Sequence, residues 1–390
     1  MRQPTTGRSR RRVAGPLLAG LLAAAVLSGC GTGGYEPRGP FRPLPEGAPP
    51  EVGPPTTRPA PPPPMPAEPG SGDEEEASDP NVVATDLDVP TGLAVLPDGS
   101  AIVGERETGR IVQVFPDRAP PRELMTVPGV DTAGDGGLLG LALSPTYDED
   151  GLIYAYLSTR TDNRVVRFPI GGTPNPVLTG IPRGEVNNGG ALLFGPEQDL
   201  FVGTGDAGRP ESAADPASLA GKVLRIDVFG RPAAGGDPVF SSGHEDVAAL
   251  CKGGEESPLL AVGGGELNAV VDGSEHGWPR ERPRSADPVT DFPADLGGLA
   301  GCAVAGTIVF LGSLPGERVH IVPTDGRTGL DGEIEDVLTG EYGRLRTLVL
   351  DADGGLWVTT SNRDGSGSPA EDDDKVLRIV PPTAEGSSPL

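Results

Sequence analysis

Two arginines one residue apart, Arg344 and Arg346, are the first candidates for chemistry in this chain. They stand at the start of an alternating segment that reads as a strand, where every second side chain points to the same side. A guanidinium is a planar, permanently charged donor that grips a carboxylate through two parallel hydrogen bonds. The pair suits the lining of a channel; the other reading is a solvated pair bonded to acidic neighbours. Amides and carboxylates come in small sets. Asn187, Asn188, Glu245 and Asp246 are the residue types of a metal-dependent hydrolase. Asn362 to Gly367, followed by Asp372 and Asp373, supplies calcium-type ligands, but without the helices that flank an EF-hand loop it reads as a polar loop. The three histidines, His244, His276 and His320, read as packed structural groups. No Cys/His cluster has the spacing of a zinc site.

The elements that must position these groups are short strands. A pattern of apolar strand, Pro/Asp/Gly turn and second strand recurs, as in Leu96-Pro97-Asp98-Gly99 before Ala101-Ile102-Val103. Gly195-Pro196-Glu197-Gln198 before Leu200-Phe201-Val202 repeats it, and so does Asp351-Ala352-Asp353-Gly354-Gly355 before Leu356-Trp357-Val358. From Asp98 to Asp353 is 255 residues, or five intervals of about 51, the spacing of four-stranded propeller blades. Helical periodicity is scarce; one short turn is predicted over Pro216 to Ala220 with Asp215 as its cap. The prediction is an all-β fold, a six-bladed β-propeller of four-stranded antiparallel blades around a central channel. The first blade is expected to start near Val82, and the fourth, least regular one to run from Val223-Leu224-Arg225-Ile226-Asp227 to Gly277-Trp278-Pro279.

The propeller is predicted over residues 81–382. Before it, residues 1–29 read as an export signal, with Arg8, Arg10, Arg11 and Arg12 ahead of an apolar stretch from Val13 to Leu27. The signal ends in Leu27-Ser28-Gly29-Cys30, which resembles a bacterial lipobox and makes Cys30 the expected lipidated residue. Residues 30–80 are rich in Pro, Gly and Glu and read as a disordered tether; residues 383–390 read as a tail. The protein is therefore expected at the extracytoplasmic face of the bacterial cell membrane, held by its lipid. A formal net charge of −25 argues against nucleic acid as a partner. Cys251 and Cys302 remain as a pair in an exported chain, for which a disulfide joining the fourth and fifth blades is the default.

Several segments together resemble the quinoprotein glucose/sorbosone dehydrogenases, the soluble aldose sugar dehydrogenases, and most of all an LppZ-like lipoprotein branch. They are Gly136 to Gly140, Asn188-Gly189-Gly190 with Gly203 to Gly208, Leu219 to Asp227, Glu266-Leu267-Asn268, Gly277-Trp278-Pro279, and Gly343 to Arg346 through Asp364-Gly365. The resemblance implies a propeller that binds pyrroloquinoline quinone (PQQ) over its channel, often with calcium. It also implies a histidine that takes the proton of a sugar hydroxyl while hydride passes to the quinone, and arginines on the cofactor. On this likeness Arg344, Arg346 and Asp135 face the cofactor, and Asp206 is the carboxylate that orients the catalytic base.

The departures fall on the chemistry. Asn187 stands where the family has that histidine, and an amide accepts no proton near neutral pH. Glu245 and Asp246 replace a family Arg-Asn pair, and carboxylates repel a cofactor that carries three of its own. The family's Glu-His-Gly-Pro, whose carbonyls help hold calcium, aligns with Pro258-Leu259-Leu260-Ala261. The expected function is a cell-surface lipoprotein with a PQQ-dependent sugar-dehydrogenase-like propeller, divergent or weak in catalysis. The alternative is a non-catalytic propeller that binds a sugar or other envelope ligand; a lactonase-type hydrolase ranks third.

Overall fold

Asp and Gly residues set the turns from which the sheets grow. The Asp98 carboxylate accepts from the Ser100 amide at 2.9 Å, while Gly99 supplies a φ of 81°. Asp351 does more: it accepts from the amides of Asp353 and Gly355, the Trp357 indole and the Arg378 guanidinium. The structure, a computed structural model, describes residues 79–233, 235–253, 257–279 and 285–380. The predicted signal, Cys30, residues 30–78 of the tether and the tail lie outside the described residues.

Six sheets form the fold. Their innermost strands are Pro90–Val95, Leu138–Leu143, Leu192–Phe194, Ala249–Lys252, Leu299–Ala305 and Leu345–Leu350, and each adjoins the next around a closed ring. Five sheets have four antiparallel strands; the third gains a fifth, Ser274–Glu275, parallel to Val239–Ser242. The expected six-bladed propeller is thus the observed one, with three local corrections. Val82–Ala84 does not open the first blade but pairs antiparallel with Val376–Ile379 as the outer strand of the sixth. Both ends of the ring meet in one sheet, and that hydrogen-bonded clasp closes the circle. Lys222–Ile226 belongs to the third blade, between Leu200–Gly203 and Val239–Ser242. The short helix is Pro210–Ala214, with Pro at its start, not Pro216 to Ala220. The buried Lys222 ammonium fixes its end by donating to the carbonyls of Ser212, Ala213 and Ala220 at 2.8–3.1 Å. Asp215 accepts from the Ala217 amide and makes a turn there instead.

Packing follows from strand alternation. In Leu152–Ser158, Ile153, Ala155 and Leu157 face the first blade, while Tyr154 and Tyr156 face the third. Every neighbouring pair of blades shares one such apolar cluster, six in all among the described residues. The side chains between blades are therefore the core, and the axis is left open. Cys251 and Cys302 form a disulfide between the innermost strands of the fourth and fifth blades, as expected.

Candidate functional site: a charged hollow on the propeller axis

All six innermost strands line a narrow axial channel of about 90 Å³, through residues such as Thr91, Leu139, Ala191, Leu250, Gly301 and Leu348. It widens at the end where innermost strands begin and second strands finish. There a cavity of about 340 Å³ opens, within the range of about 300–1,000 Å³ usual for small-molecule sites.

Asp135, Asn187, Arg344 and Arg346 all border this cavity. Arg344 precedes its strand by one residue, and Asn362 accepts from its amide at 2.8 Å. Its guanidinium donates twice to Asp364, at 2.9 and 3.2 Å, and to the Ser361 carbonyl at 3.2 Å. Burial pushes the Asp364 carboxyl up, but the Ser366 amide and Arg344 outweigh it and hold it below the usual carboxylate range. Arg346, the second residue of its strand, has no carboxylate within 4.0 Å and no side-chain hydrogen bond among the described residues. Burial pulls it down to about 10, Arg106 adds to that, and the charges of Asp364 and Asp246 oppose it.

Arg106 is the wall residue that sequence reasoning missed. It follows the strand Ala101–Glu105, and alternation sends the buried carboxylate of its neighbour Glu105 into a bidentate pair with the part-exposed Arg110 at 2.6 and 2.9 Å. Arg106 turns toward the axis, donates to Glu107 at 2.8 Å, and keeps a buried Nε with no partner. Gly137 makes room for it: φ there is 140°, and a Cβ would strike the Arg106 backbone and side chain. The residue just past the second strand falls at the mouth in three blades and not in the others, so its position alone does not single Arg106 out. Gly264 and Leu314 occupy the same place in the fourth and fifth blades.

The opposite wall is acidic. Asp206 is fully buried behind Asn187 and accepts from the Asn187 amide at 3.1 Å, the Trp278 indole at 2.9 Å and the Gly208 amide at 2.8 Å. Asp246 accepts from the Gly189 amide at 2.8 Å. Burial pushes Asp246 up to about 6 against that bond and the Arg346 charge, with Asp206 and Glu245 pushing the same way. The Glu245 carboxyl is also raised, by burial and then by Asp206, against hydrogen bonding from Asn187. Gly205 lets these walls approach, because a Cβ there would meet the Asn187 carbonyl and the Asp246 carboxylate.

Other candidates are spent on structure. Asn188 bonds Asn163 and Gly184, so its amide is not free for a metal. Asp372 takes Lys375 as its donor, and Asp373 takes Asn362, Ala370 and Lys375. None of the three histidines borders the hollow. His244 stacks on His276 at 4.7 Å beside it, and His320 is held between Asp336 and the Leu296 carbonyl. Leu259–Gly263, where the resemblance places calcium-binding carbonyls, is a central strand paired on both sides. Among the described residues no group of three or more His, Cys, Asp or Glu is placed to hold a metal ion.

The fold is a closed propeller with an axial hollow, one wall guanidinium and the other carboxylate. Residues 87–286 match the model of the glucose/sorbosone dehydrogenase family, and the chain belongs to that family. Among solved structures it is similar to the PQQ-bound aldose sugar dehydrogenase of Streptomyces coelicolor. That match is 40% identical over 76% of this chain and 95% of the other, with a TM-score of 0.73. An oxidoreductase (glucose dehydrogenase) from Thermus thermophilus is 33% identical over 76% and 98%, with a TM-score of 0.71. Quinoprotein glucose dehydrogenase B of Acinetobacter calcoaceticus is 25% identical over 254 residues, 53% of each chain. The chain spans about half the length of the curated relatives it matches first.

Proposed function

We propose that this protein is a lipid-anchored, extracytoplasmic propeller that binds PQQ in its axial hollow and oxidises an aldose slowly. The observation that carries the reading is the guanidinium wall. Arg346 is half-buried with no carboxylate within 4.0 Å among the described residues, and Arg106 keeps an unpartnered buried Nε beside it. Buried charges and donors left without partners cost free energy, so this wall fits a planar ligand that brings its own carboxylates. Arg106, Arg344 and Arg346 would hold those carboxylates and quinone oxygens. When bound, PQQ supplies a two-electron acceptor. The similarity to a PQQ-bound aldose sugar dehydrogenase supports the choice of cofactor.

Slow turnover follows from Asn187, whose amide cannot take a proton. Calcium accompanies the cofactor through the family resemblance alone, and no residue of the hollow is assigned to it. Anchoring through Cys30 rests on the lipobox-like segment and the signal before it. The acidic wall favours a second reading, a non-catalytic propeller that binds a neutral sugar, because Glu245 and Asp246 face any anionic cofactor.

Reconstitution distinguishes the two. The mature chain with PQQ and calcium is mixed with a panel of aldoses and an electron-accepting dye. Slow, aldose-dependent dye reduction is the expected result. Sugar binding with no dye reduction at any aldose would establish the second reading.

A further inference from the structure

Oxidising a hydroxyl requires a group that takes its proton, and most carboxylates around the hollow are engaged. Asp206 holds three donors, and Asp364 holds Arg344 and the Ser366 amide. Asp135 is exposed at the rim. Asp246 differs. One of its oxygens accepts from the Gly189 amide at 2.8 Å, and the other has no hydrogen-bond partner among the described residues. It shares the cavity with Arg346, and each lies in the other's electrostatic field. Yet no ion pair within 4.0 Å joins them. The Arg346 guanidinium has donors enough for a cofactor oxygen and a hydroxyl together, and the free Asp246 oxygen borders the same cavity, so the two suit a hydroxyl placed between them. Its oxygen accepts from the guanidinium and its proton points at the carboxylate.

We propose that Asp246 is the proton acceptor of this site, taking the proton of a sugar's anomeric hydroxyl while Arg346 steadies the oxygen. The inference rests on the aldose-oxidation reading above and says how a chain with Asn187 still performs it. The O–H bond breaks with its proton going to the free Asp246 oxygen. Bound PQQ would supply the two-electron acceptor for the hydride released from C1 as the C1–O bond becomes the carbonyl of a lactone, and Asp246 would hold the hydroxyl proton until it is passed on with those electrons. Arg346 stabilises the negative charge that grows on the oxygen.

Burial places Asp246 at about 6, so it is mostly ionised at neutral pH and close to the range in which a general base works best. The charged groups that set this value are Arg346, Asp206 and Glu245. Arg106, Asp135, Arg344 and Asp364 complete the cavity wall, and the Tyr156 hydroxyl lies in the same field. His244, His276 and Glu266 line the adjoining cavity of about 210 Å³, which also borders Asp246.

The test uses the full chain with PQQ and calcium, as wild type, Asp246→Asn and Glu245→Gln. Asparagine keeps the shape of Asp246 and its bond from Gly189 but accepts no proton. Three readouts are taken: PQQ binding by absorbance, dye-reduction rates from about pH 4.5 to 8.5, and glucose affinity by calorimetry over the same range. The expected wild-type rate falls on the acid side through pH about 6. In Asp246→Asn the rate drops by about 100-fold or more while PQQ still binds, and glucose affinity loses its pH dependence. If Asp246→Asn keeps the wild-type rate and acid limb, or only Glu245→Gln removes that limb, the proposal is overturned while aldose oxidation stands. If the wild type oxidises no aldose, glucose binding decides. An affinity that changes through pH about 6 only when Asp246 is present keeps Asp246 as the hydroxyl's partner and removes the oxidation. An affinity indifferent to both pH and Asp246 overturns the proposal too.

Discussion

Asn187 and Asp246 sit on one wall of the hollow, and their difference in proton affinity governs what the site can do. Asn187 already donates to Asp206 at 3.1 Å, so an imidazole at 187 would find its orienting carboxylate in place. Asn187→His is therefore expected to raise aldose-dependent dye reduction by about tenfold or more, a modest share of what a positioned base supplies. Stopped-time assays of the two proteins at equal PQQ occupancy measure it. Asp246 carries the opposite trade. Its pKa is raised above the ordinary 3.8 to about 6, so the folded state holds a proton that the unfolded chain has lost. Stability from this group is full below about pH 4 and is lost as pH rises through 6. Asp246→Asn is thus expected to be more stable at neutral pH, by about 1–2 kcal/mol after allowance for the cavity beside it, and equal to wild type near pH 4. Thermal melts across that range check the sign, and a variant both steadier and slower is the signature of a group kept for chemistry. His276 works the other way. Burial lowers it from 6.5 to about 4, so its contribution is full above pH 6.5 and is lost as pH falls toward 4.

At the scale of elements, the site exists because strand ends are held in register. Innermost strands bring Arg346 and the residues just before Leu138 and Leu192 to the mouth, and second strands deliver Arg106. The Cys251–Cys302 disulfide fastens two of those innermost strands across a chain separation of 51 residues. Chain-entropy reasoning assigns a loop of that size about 4 kcal/mol, and measured native bridges give about 2–5 kcal/mol. The double variant Cys251→Ala, Cys302→Ala is expected to melt several degrees lower while binding PQQ with unchanged affinity, since the bridge borders the narrow channel and not the hollow. Weakened PQQ binding in a folded double variant would show that the bridge also shapes the site.

The ring itself was the most legible property of the whole molecule. A turn repeated at about 51 residues announces blades, because a four-stranded sheet with two apolar faces must stack on copies of itself. Blade boundaries were less legible. Val82–Ala84 reads like any opening strand, and only pairing across the whole chain assigns it to the sixth blade. The helix at Pro210–Ala214 was hidden because Lys222, on the strand that follows it, supplies the donors that end it. In the hollow, Arg344, Arg346, Asn187 and Asp135 were legible as residue types, and the fold gathers them. Arg106 was not, since nothing local separates a strand-end arginine that faces the axis from one that faces water. The free oxygen of Asp246 could not be read at all, because it depends on which donors three blades leave unspent.

The central claim is that the guanidinium wall is a clamp for a planar polyanion, and equilibrium titration of the mature chain with PQQ tests it most directly. One saturable equivalent should bind, more weakly as salt rises. Loss of one charge-assisted contact in Arg346→Met should weaken it by about 10- to 100-fold. Absence of binding by the wild type, or equal binding by a folded Arg346→Met, would contradict the account.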